Sequence, residues 1–171
     1  MAMAVQRLVL LGHHRIVLLC REERRKPGPG YLERAFLKEL KSHGLATGSY
    51  NLPDWEDSPA GFYHCLSSLF RYTPPTTLFI SGMELFAATQ GFLLEQGIRV
   101  PKEVSIICTD THPTFTWCHR KIAHITYDSS IWVHNIVRWV NKVARGKNDR
   151  RQMITNARFI EGGTIGPAPQ Q

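Results

Sequence analysis

The sequence has no apolar run that approaches the roughly 20 residues a helix needs to cross a bilayer. Its first residues, MAMAVQRLVLLGHH, include an apolar patch, but Arg7 and two histidines interrupt it. They also lack the order of a signal peptide, which has a basic start, a long apolar core and a small-residue cleavage site. We therefore expect no membrane partner and a cytoplasmic location.

No pair of cysteines has the CxxC spacing of a zinc or redox site. The four cysteines are Cys20, Cys65, Cys108 and Cys118. Most of them lie in apolar runs of strand-like or helical spacing, so we expect reduced, mostly buried thiols. His112, Cys118 and His119 share one predicted loop, but a metal site needs three or four converging ligands. We expect no metal and no cofactor.

The motifs of doubly wound enzymes are missing as well. There is no GxSxG nucleophile elbow, no Walker phosphate loop and no GxGxxG after the first predicted strand. The segment KPGPGY, residues 26–31, offers glycines, but its prolines have no N–H group to give a phosphate. We therefore expect no enzymatic activity. A small doubly wound hydrolase or transferase is the alternative, since the fold alone allows one.

Acidic residues are too few to balance the basic ones, and the formal net charge is +7. The basic residues are scattered, and both of the denser groups, residues 21–26 and 145–151, include acids. The sequence also lacks a helix-turn-helix pattern, a zinc finger and a basic strand interleaved with aromatics. We expect at most a weak, non-specific DNA affinity that moderate salt abolishes.

What the sequence does contain is a series of short apolar runs that alternate with stretches of helical spacing. The predicted helices are Ala4–Leu11, Tyr31–His43, Ala60–Tyr72, Glu84–Gln96 and Ser129–Arg145. The predicted strands are Arg15–Cys20, Ser49–Leu52, Thr76–Ser81, Val104–Thr109, Ile122–Thr126 and Met153–Ile160. Their short connections predict an α/β fold, a parallel doubly wound sheet with flanking helices. We expect residues 21–30 to form a loop and residues 165–171 to be frayed.

The most informative stretch is QGIRVPKEVSIICTD, residues 96–110. Gly97 suits the left-handed conformation that ends a helix, and Pro101 prevents the helix from continuing. The apolar run that follows predicts a strand buried on both faces. Asp110 then lies at the carboxyl end of a parallel strand, which is the edge where open α/β sheets bind ligands.

Three segments follow one another in the order of a known family. They are LVLLGHHRIVLLC, then PPTTLFISGMELFAATQGFLLEQGIRVPKEVSIICTD, and finally IAHITYDSSIWVHNIVRWV followed by ARFIEGGT. In this order they resemble the effector-binding region of the LacI/GalR family of bacterial transcription regulators. The resemblance implies a periplasmic-binding-protein-like (type I) fold, with most of this chain forming its C-terminal lobe.

The resemblance also implies that most of the family's first lobe has no counterpart in this sequence. The implied division is residues 1–121 and 147–164 in the C-terminal lobe, residues 122–146 as a segment returning to the N-terminal lobe, and residues 165–171 as a disordered tail. In this interpretation Ile131, Trp132, Ile136 and Trp139 lack part of their packing surface. An uncovered apolar face predicts self-association or poor solubility.

Binding residues follow from the same resemblance, which implies a small effector such as a sugar or a nucleobase between two lobes. Asp110 matches the family's aspartate, whose carboxylate accepts hydrogen bonds from ligand hydroxyl or amine groups. A capped loop is the other interpretation of Asp110. Trp55 lies where the family often has an aromatic that stacks on the ligand. Its alternative is packing on its own lobe.

Two further pairs of positions depart from the family's pattern. Arg25 and Lys26 follow the first strand, where the family offers a ligand-binding arginine, but a solvated run of charges is the alternative. Glu84 and Met83 stand near the family's Asn-Asp pair. Either Glu84 replaces the lost aspartate, or Met83 makes the pocket more apolar, or ligand binding has decayed.

The resemblance predicts the effector-binding region of a regulator that acts as a homodimer. Operator DNA is expected to be bound by a helix-turn-helix that this sequence does not contain. A degenerate fragment that no longer binds a ligand is the second alternative to this function.

Overall fold

A computed structural model describes residues 1–26, 28–148, 150 and 156–170 of the chain. The described helices are α1 (Ala2–Leu10), α2 (Glu22–Arg25), α3 (Tyr31–Ser42), α4 (Pro59–Tyr72), α5 (Met83–Glu95) and α6 (Ser129–Ala144). The described strands are β1 (Ile16–Leu19), β2 (Thr77–Ile80), β3 (Ser105–Cys108), β4 (His124–Tyr127) and β5 (Ala157–Ile160). These elements confirm every predicted helix and all but one of the predicted strands. Residues 153–155 of the last predicted strand lie outside the described ranges.

Three buried parallel strands form the centre of the sheet. β1 pairs with β2 and β2 with β3, in a register that places Val17 beside Leu78 and Leu78 beside Ile106. All residues of these strands are buried, as a continuous apolar run predicts for a strand covered on both faces. β4 joins β3 in parallel, with His124 opposite Cys108, and β5 runs antiparallel to β4. The predicted mostly parallel α/β sheet is confirmed.

Helices cover both faces of this sheet. Since successive strand residues point to opposite faces, each strand contributes side chains to both cores. On one face the strand residues Val17, Leu78 and Ile106 pack in one core cluster with residues of α4 and α5. On the other face the strand residues Ile16 and Phe79 pack with residues of α1 and α3. Because β1, β2 and β3 are parallel, the loops that follow them meet at one edge of the sheet. This is the edge at which Asp110 was expected.

Two local predictions are wrong. Residues Ser49–Leu52 do not form a strand; Ser49–Asn51 form a 3₁₀ turn, and the Asn51 side-chain amide donates to the Ile16 carbonyl at 2.8 Å. The Asn51 side chain thus hydrogen-bonds the edge of β1 where an added strand was expected. Its Oδ1 also accepts from the Gly48 N–H at 2.9 Å, and such local side-chain bonds favour a turn over a strand. The expected loop at residues 21–30 also contains the short helix α2, which starts with two acids that favour a helix amino end.

The end of the chain is docked rather than frayed. Ile165 is buried, the Ile106 N–H donates to the Thr164 carbonyl at 2.9 Å, and the Thr164 hydroxyl donates to the Ile106 carbonyl at 2.8 Å. The Gly166 N–H donates to the Ser105 hydroxyl at 3.1 Å. β4 pairs with β3 only at Cys108, the carboxyl end of β3. Residues 164–166 therefore hydrogen-bond the earlier part of β3, whose backbone groups would otherwise lack partners. The expected disorder of residues 165–171 is wrong for the part that is described.

α6, in contrast to the carboxyl-terminal segment, is exposed along its whole length. None of its residues is buried, although its sequence predicts an apolar face for burial. This exposure agrees with the expectation that Ile131, Trp132, Ile136 and Trp139 lack part of their packing surface. Within the described ranges, no helix combines the length and the hydropathy that crossing a bilayer requires.

Candidate functional site

Asp110 lies directly after β3, where the loops of three strands converge. The Arg24 guanidinium donates from one nitrogen, Nη1, to both Asp110 carboxylate oxygens at 3.1 Å. The same nitrogen donates to the Ser81 hydroxyl at 3.0 Å. The Gly82 N–H and the Thr109 hydroxyl donate to Asp110 Oδ2 at 2.9 and 3.1 Å. Residues that follow β1, β2 and β3 are therefore joined through one carboxylate.

This arrangement holds a charged acceptor and a charged donor side by side at the sheet edge. The Asp110 side chain keeps 31% of its surface exposed and that of Arg24 keeps 45%. Burial lowers the pKa of Arg24, but the hydrogen bond and the charge of Asp110 outweigh it, and the pKa is raised overall. A group with both donor and acceptor character, such as a hydroxyl, could bind to this pair.

Gly82 enables the contact between the second and third strands. Its φ of 95° lies in the region that favours glycine, and it directs the backbone N–H at Asp110 as α5 begins. A side chain at this position would also approach the Glu84 carboxylate, which lies 3.1 Å from where a Cβ would stand. Glu84 is thus close to the Asp110 network, as its place after β2 predicts.

Trp55 and Glu84 line one cleft between α4 and α5, with a volume of about 490 Å³. Apolar side chains form most of its wall: Phe62, Leu66, Leu85 and Ala88. Arg21 and Asp57 also line it and form an ion pair at 3.1 Å. The Trp55 ring packs on Phe62 with centroids 4.9 Å apart, so it rests on its own core while it borders the cleft. Ligand contact by Trp55 stays a prediction.

Met83 begins α5 and is half-buried against the core. The Thr114 hydroxyl lies 3.9 Å from its sulfur, so Met83 joins α5 to the loop that follows Asp110. The thioether gives this side of the edge an apolar, polarizable surface. Replacement of the family's polar pair by Glu84 stays a prediction.

Arg25 and Lys26 do not join the Asp110 network. Arg25 forms ion pairs with Glu33 and Asp54, each at 2.7 Å, and Lys26 pairs with Glu22 at 2.6 Å. These residues line a separate shallow cleft of about 450 Å³. The alternative interpretation, a run of charges rather than a ligand-binding pair, therefore fits Arg25 and Lys26 better.

Arg24, which was not predicted to bind the effector, is the arginine of this loop that contacts Asp110. The short helix α2 decides the matter, because consecutive helical residues point about 100° apart and only one of two neighbouring arginines can face Asp110. The acidic pair Glu22–Glu23 before the arginines was the available signal for that helical turn.

Among the described residues, the histidines, cysteines and acids form no metal-binding cluster, and Cys20 and Cys108 are buried thiols. The His112 ring instead bonds the Thr114 hydroxyl at 2.8 Å. Burial raises the pKa of Cys20 to about 12 and that of Cys108 to about 11, so both remain thiols at neutral pH.

Comparison with known proteins adds a family and a set of related folds. Residues 5–165 match the profile of the family described as "Periplasmic binding protein-like domain". No curated protein matches the sequence significantly.

Solved structures of LacI-family regulators superpose on nearly the whole chain. One from Bifidobacterium animalis subsp. lactis has a TM-score of 0.79 at 18% identity, covering 97% of this chain and 60% of that one. One from Enterococcus faecium, with bound ribose, has a TM-score of 0.79 at 19% identity, covering 97% and 62%. The regulator CelR in complex with cellobiose has a TM-score of 0.76 at 15% identity, covering 94% and 49%. The chain thus spans less than two thirds of each, and at these identities the likeness shows a shared fold.

Proposed function

Because the chain belongs to the periplasmic binding protein-like domain family, we propose that it is the effector-sensing region of a LacI-type transcription regulator. The observation that carries this proposal is the Asp110–Arg24 pair, which stands where the loops after β1, β2 and β3 meet. This is the edge at which open α/β sheets bind their ligands. The effector we propose is a small polyhydroxylated molecule, such as a sugar.

The chemistry of the edge supports a sugar. A sugar hydroxyl both donates and accepts, so it can give its hydrogen to Asp110 while its oxygen accepts from Arg24. The indole face of Trp55 suits the CH groups of a sugar ring. Two of the similar structures, with ribose and with cellobiose, contain sugars as bound ligands.

The remaining parts of the proposed function concern the whole regulator. We propose that it is a cytoplasmic homodimer whose operator DNA is bound by a helix-turn-helix, a pattern that the present sequence does not contain. In this proposal the chain contributes effector recognition and no catalytic step.

A fragment that does not bind an effector is the second candidate, and one observation favours it. Both Asp110 oxygens already accept hydrogen bonds from within the chain. Oδ2 accepts three of these bonds and Oδ1 one, so a ligand meets an acceptor whose capacity is already largely used within the chain.

The proposal is tested by thermal unfolding of the chain with pentoses, hexoses, disaccharides and nucleobases. A ligand at 100 times its dissociation constant should add about 2.7 kcal/mol to the free energy of unfolding. We expect Asp110→Asn to abolish the ligand-induced rise in Tm, because an amide is neutral and offers one acceptor oxygen fewer.

The matched control is Asp54→Asn, an exposed aspartate whose partner is Arg25 in the separate cleft. It should keep the full ligand-induced rise. A panel in which no compound shifts Tm would contradict the proposal and support the non-binding candidate. An unchanged response in Asp110→Asn would contradict the assigned site.

A further inference from the structure

The cleft between α4 and α5 opens at the same edge of the sheet as the Asp110 network. α4 begins after Asp57, which pairs with Arg21 just past β1, and α5 begins after Gly82, just past β2. Glu84 marks the junction, because it lines the cleft and also lies beside Gly82, whose N–H donates to Asp110. A group attached to an effector at Asp110 can therefore extend into the cleft.

The charges at this end of the cleft favour a neutral ligand. Arg21 and Asp57 form an ion pair there, as Arg24 and Asp110 do in the adjoining network. Glu84 adds one more carboxylate, so two arginines stand among three acids. A phosphate or carboxylate on the ligand would meet this excess of negative charge, whereas a hydroxyl group can donate a hydrogen bond to it.

Further from the edge the cleft is apolar, and a small side chain keeps it open. Phe62, Leu66 and Leu85 belong to the core, are each at most 7% exposed, and form the inner wall. Ala88 lies one helical turn after Glu84 on α5, is exposed, and contributes only a methyl group to the wall. A larger side chain at residue 88 would fill the space between the two helices.

The size of the cleft suits a ring or a branched alkyl group. Its volume of about 490 Å³ falls within the range of small-molecule sites, about 300–1,000 Å³. An apolar cavity of about 150 Å³ is already large enough to bind benzene. A sugar ring in this part of the cleft would bury hydroxyls without hydrogen-bond partners, which is unfavourable. An apolar group attached to a sugar avoids that cost.

We propose that the effector is a neutral glycoside, a sugar joined to an aromatic or branched apolar group, and that the cleft between α4 and α5 receives this group. The sugar hydroxyls exchange hydrogen bonds with Asp110 and Arg24, and the apolar group packs against Leu66 and Leu85 beside Ala88. The inference rests on the proposed effector function and names the class of effector. It also makes Ala88 a residue that decides specificity.

The test measures dissociation constants of the full chain by isothermal titration calorimetry. The ligands are the methyl and phenyl glycosides of glucose, galactose and xylose, in both anomers. We expect one phenyl glycoside to bind at least about tenfold more tightly than the methyl glycoside of the same sugar, because the phenyl ring leaves water for the apolar wall. The methyl form controls for the glycosidic bond itself.

Ala88→Phe fills the cleft and should bring the ratio of the two dissociation constants to about one. Ala87→Phe makes the same change at the preceding residue of α5, which is also exposed but lies outside the residues that line the cleft, and should keep the wild-type ratio. Far-UV circular dichroism checks the fold of both variants. Ala88→Leu adds a smaller side chain, should give an intermediate ratio, and replaces Ala88→Phe if that variant does not fold.

The other outcomes separate the cleft from the effector site. A ratio near one in the wild-type chain would overturn this inference and leave the sugar-sensing function in place. An equal loss of the ratio in Ala87→Phe would also overturn it, since the cleft would then have no specific role. Binding of a phenyl glycoside that Asp110→Asn leaves unchanged would contradict the proposed effector site. No binding of any of these compounds would contradict both proposals.

Discussion

His13 is fully buried, and its ring joins the beginning of the chain to the end. Its Nε2 lies 2.9 Å from the Gly166 carbonyl, and since a carbonyl only accepts, Nε2 carries the hydrogen. No described residue offers Nδ1 a hydrogen-bond partner. Burial lowers the pKa of His13 below its ordinary value of 6.5, against the raising effect of the Gly166 carbonyl and with a small further lowering by His14. The ring is therefore neutral at neutral pH.

This burial predicts a pH-dependent stability. Below pH 6.5 the unfolded chain protonates His13 while the folded chain does not, so the free energy of unfolding falls as pH falls from 6.5 towards the lower folded-state pKa. Above pH 6.5 this contribution is fully present. We expect urea denaturation from about pH 8 to about pH 5 to show the loss.

His13→Gln is the informative variant, because its amide can still donate to Gly166 but does not titrate in this range. The slope of stability against pH should become shallower in it, while His64→Gln, at an exposed histidine, should keep the wild-type slope. Identical slopes in wild type and His13→Gln would show that His13 is not the titrating group.

Arg24 and Arg25 are neighbours with different surroundings, and this predicts different effects on stability. Arg25 pairs with Glu33, whose side chain is 3% exposed, so Arg25→Gln leaves a buried carboxylate without its cation. We expect a loss of about 2–3 kcal/mol in the free energy of unfolding. Arg24→Gln breaks a more exposed pair and should cost about 1 kcal/mol or less.

Urea denaturation of the two variants measures both values. Equal costs would contradict the structural role of Arg25. Among the effector titrations, Arg24→Gln should weaken any sugar response and Arg25→Gln should not.

At the scale of elements, residues 164–166 hydrogen-bond the part of β3 that β4 does not reach. Thr164 makes two buried hydrogen bonds there: its hydroxyl donates to the Ile106 carbonyl and accepts from the Ala123 N–H at 2.9 Å. The segment thus ties β3 to the residues just before β4. Residues 164–166 are not a strand, but they supply hydrogen bonds that a neighbouring strand would otherwise make with β3.

Thr164→Val tests this role, because valine has nearly the same shape and no hydroxyl. The Ile106 carbonyl and the Ala123 N–H lose a partner, which predicts a loss of about 2 kcal/mol in the free energy of unfolding. Thr116→Val removes an exposed hydroxyl that bonds the Pro113 carbonyl at 2.7 Å, and should cost about 0.5 kcal/mol or less. Equal denaturation midpoints for the two variants would contradict the docking of the segment.

At the scale of the whole molecule, the sheet with α1, α3, α4 and α5 forms the folded body, and α6 stands apart from its core. The effector edge lies on this folded body, in the loops after β1, β2 and β3. Asp110→Asn removes the same exposed ion pair as Arg24→Gln, so we expect a similar small cost in stability without ligand.

Much of the fold follows from short-range patterns. Apolar runs of four to six residues predict β1, β2 and β3, because a strand buried on both faces needs no polar alternation. Gly97 and Pro101 mark the end of α5, since one accepts a positive φ, here 69°, and the other cannot extend a helix. The position of Asp110 at the carboxyl edge follows from the same local signals.

The sequence by itself thus determined the five long helices, the strands β1 to β5, and the edge that carries Asp110, because these depend on side chains a few residues apart. Only the tertiary structure decided that Arg24 rather than Arg25 meets Asp110, that Asn51 bonds the edge of β1 and that His13 bonds Gly166. These partners are 86, 35 and 153 positions apart in sequence. Their meeting depends on how the crossovers place distant loops together, which no local pattern encodes.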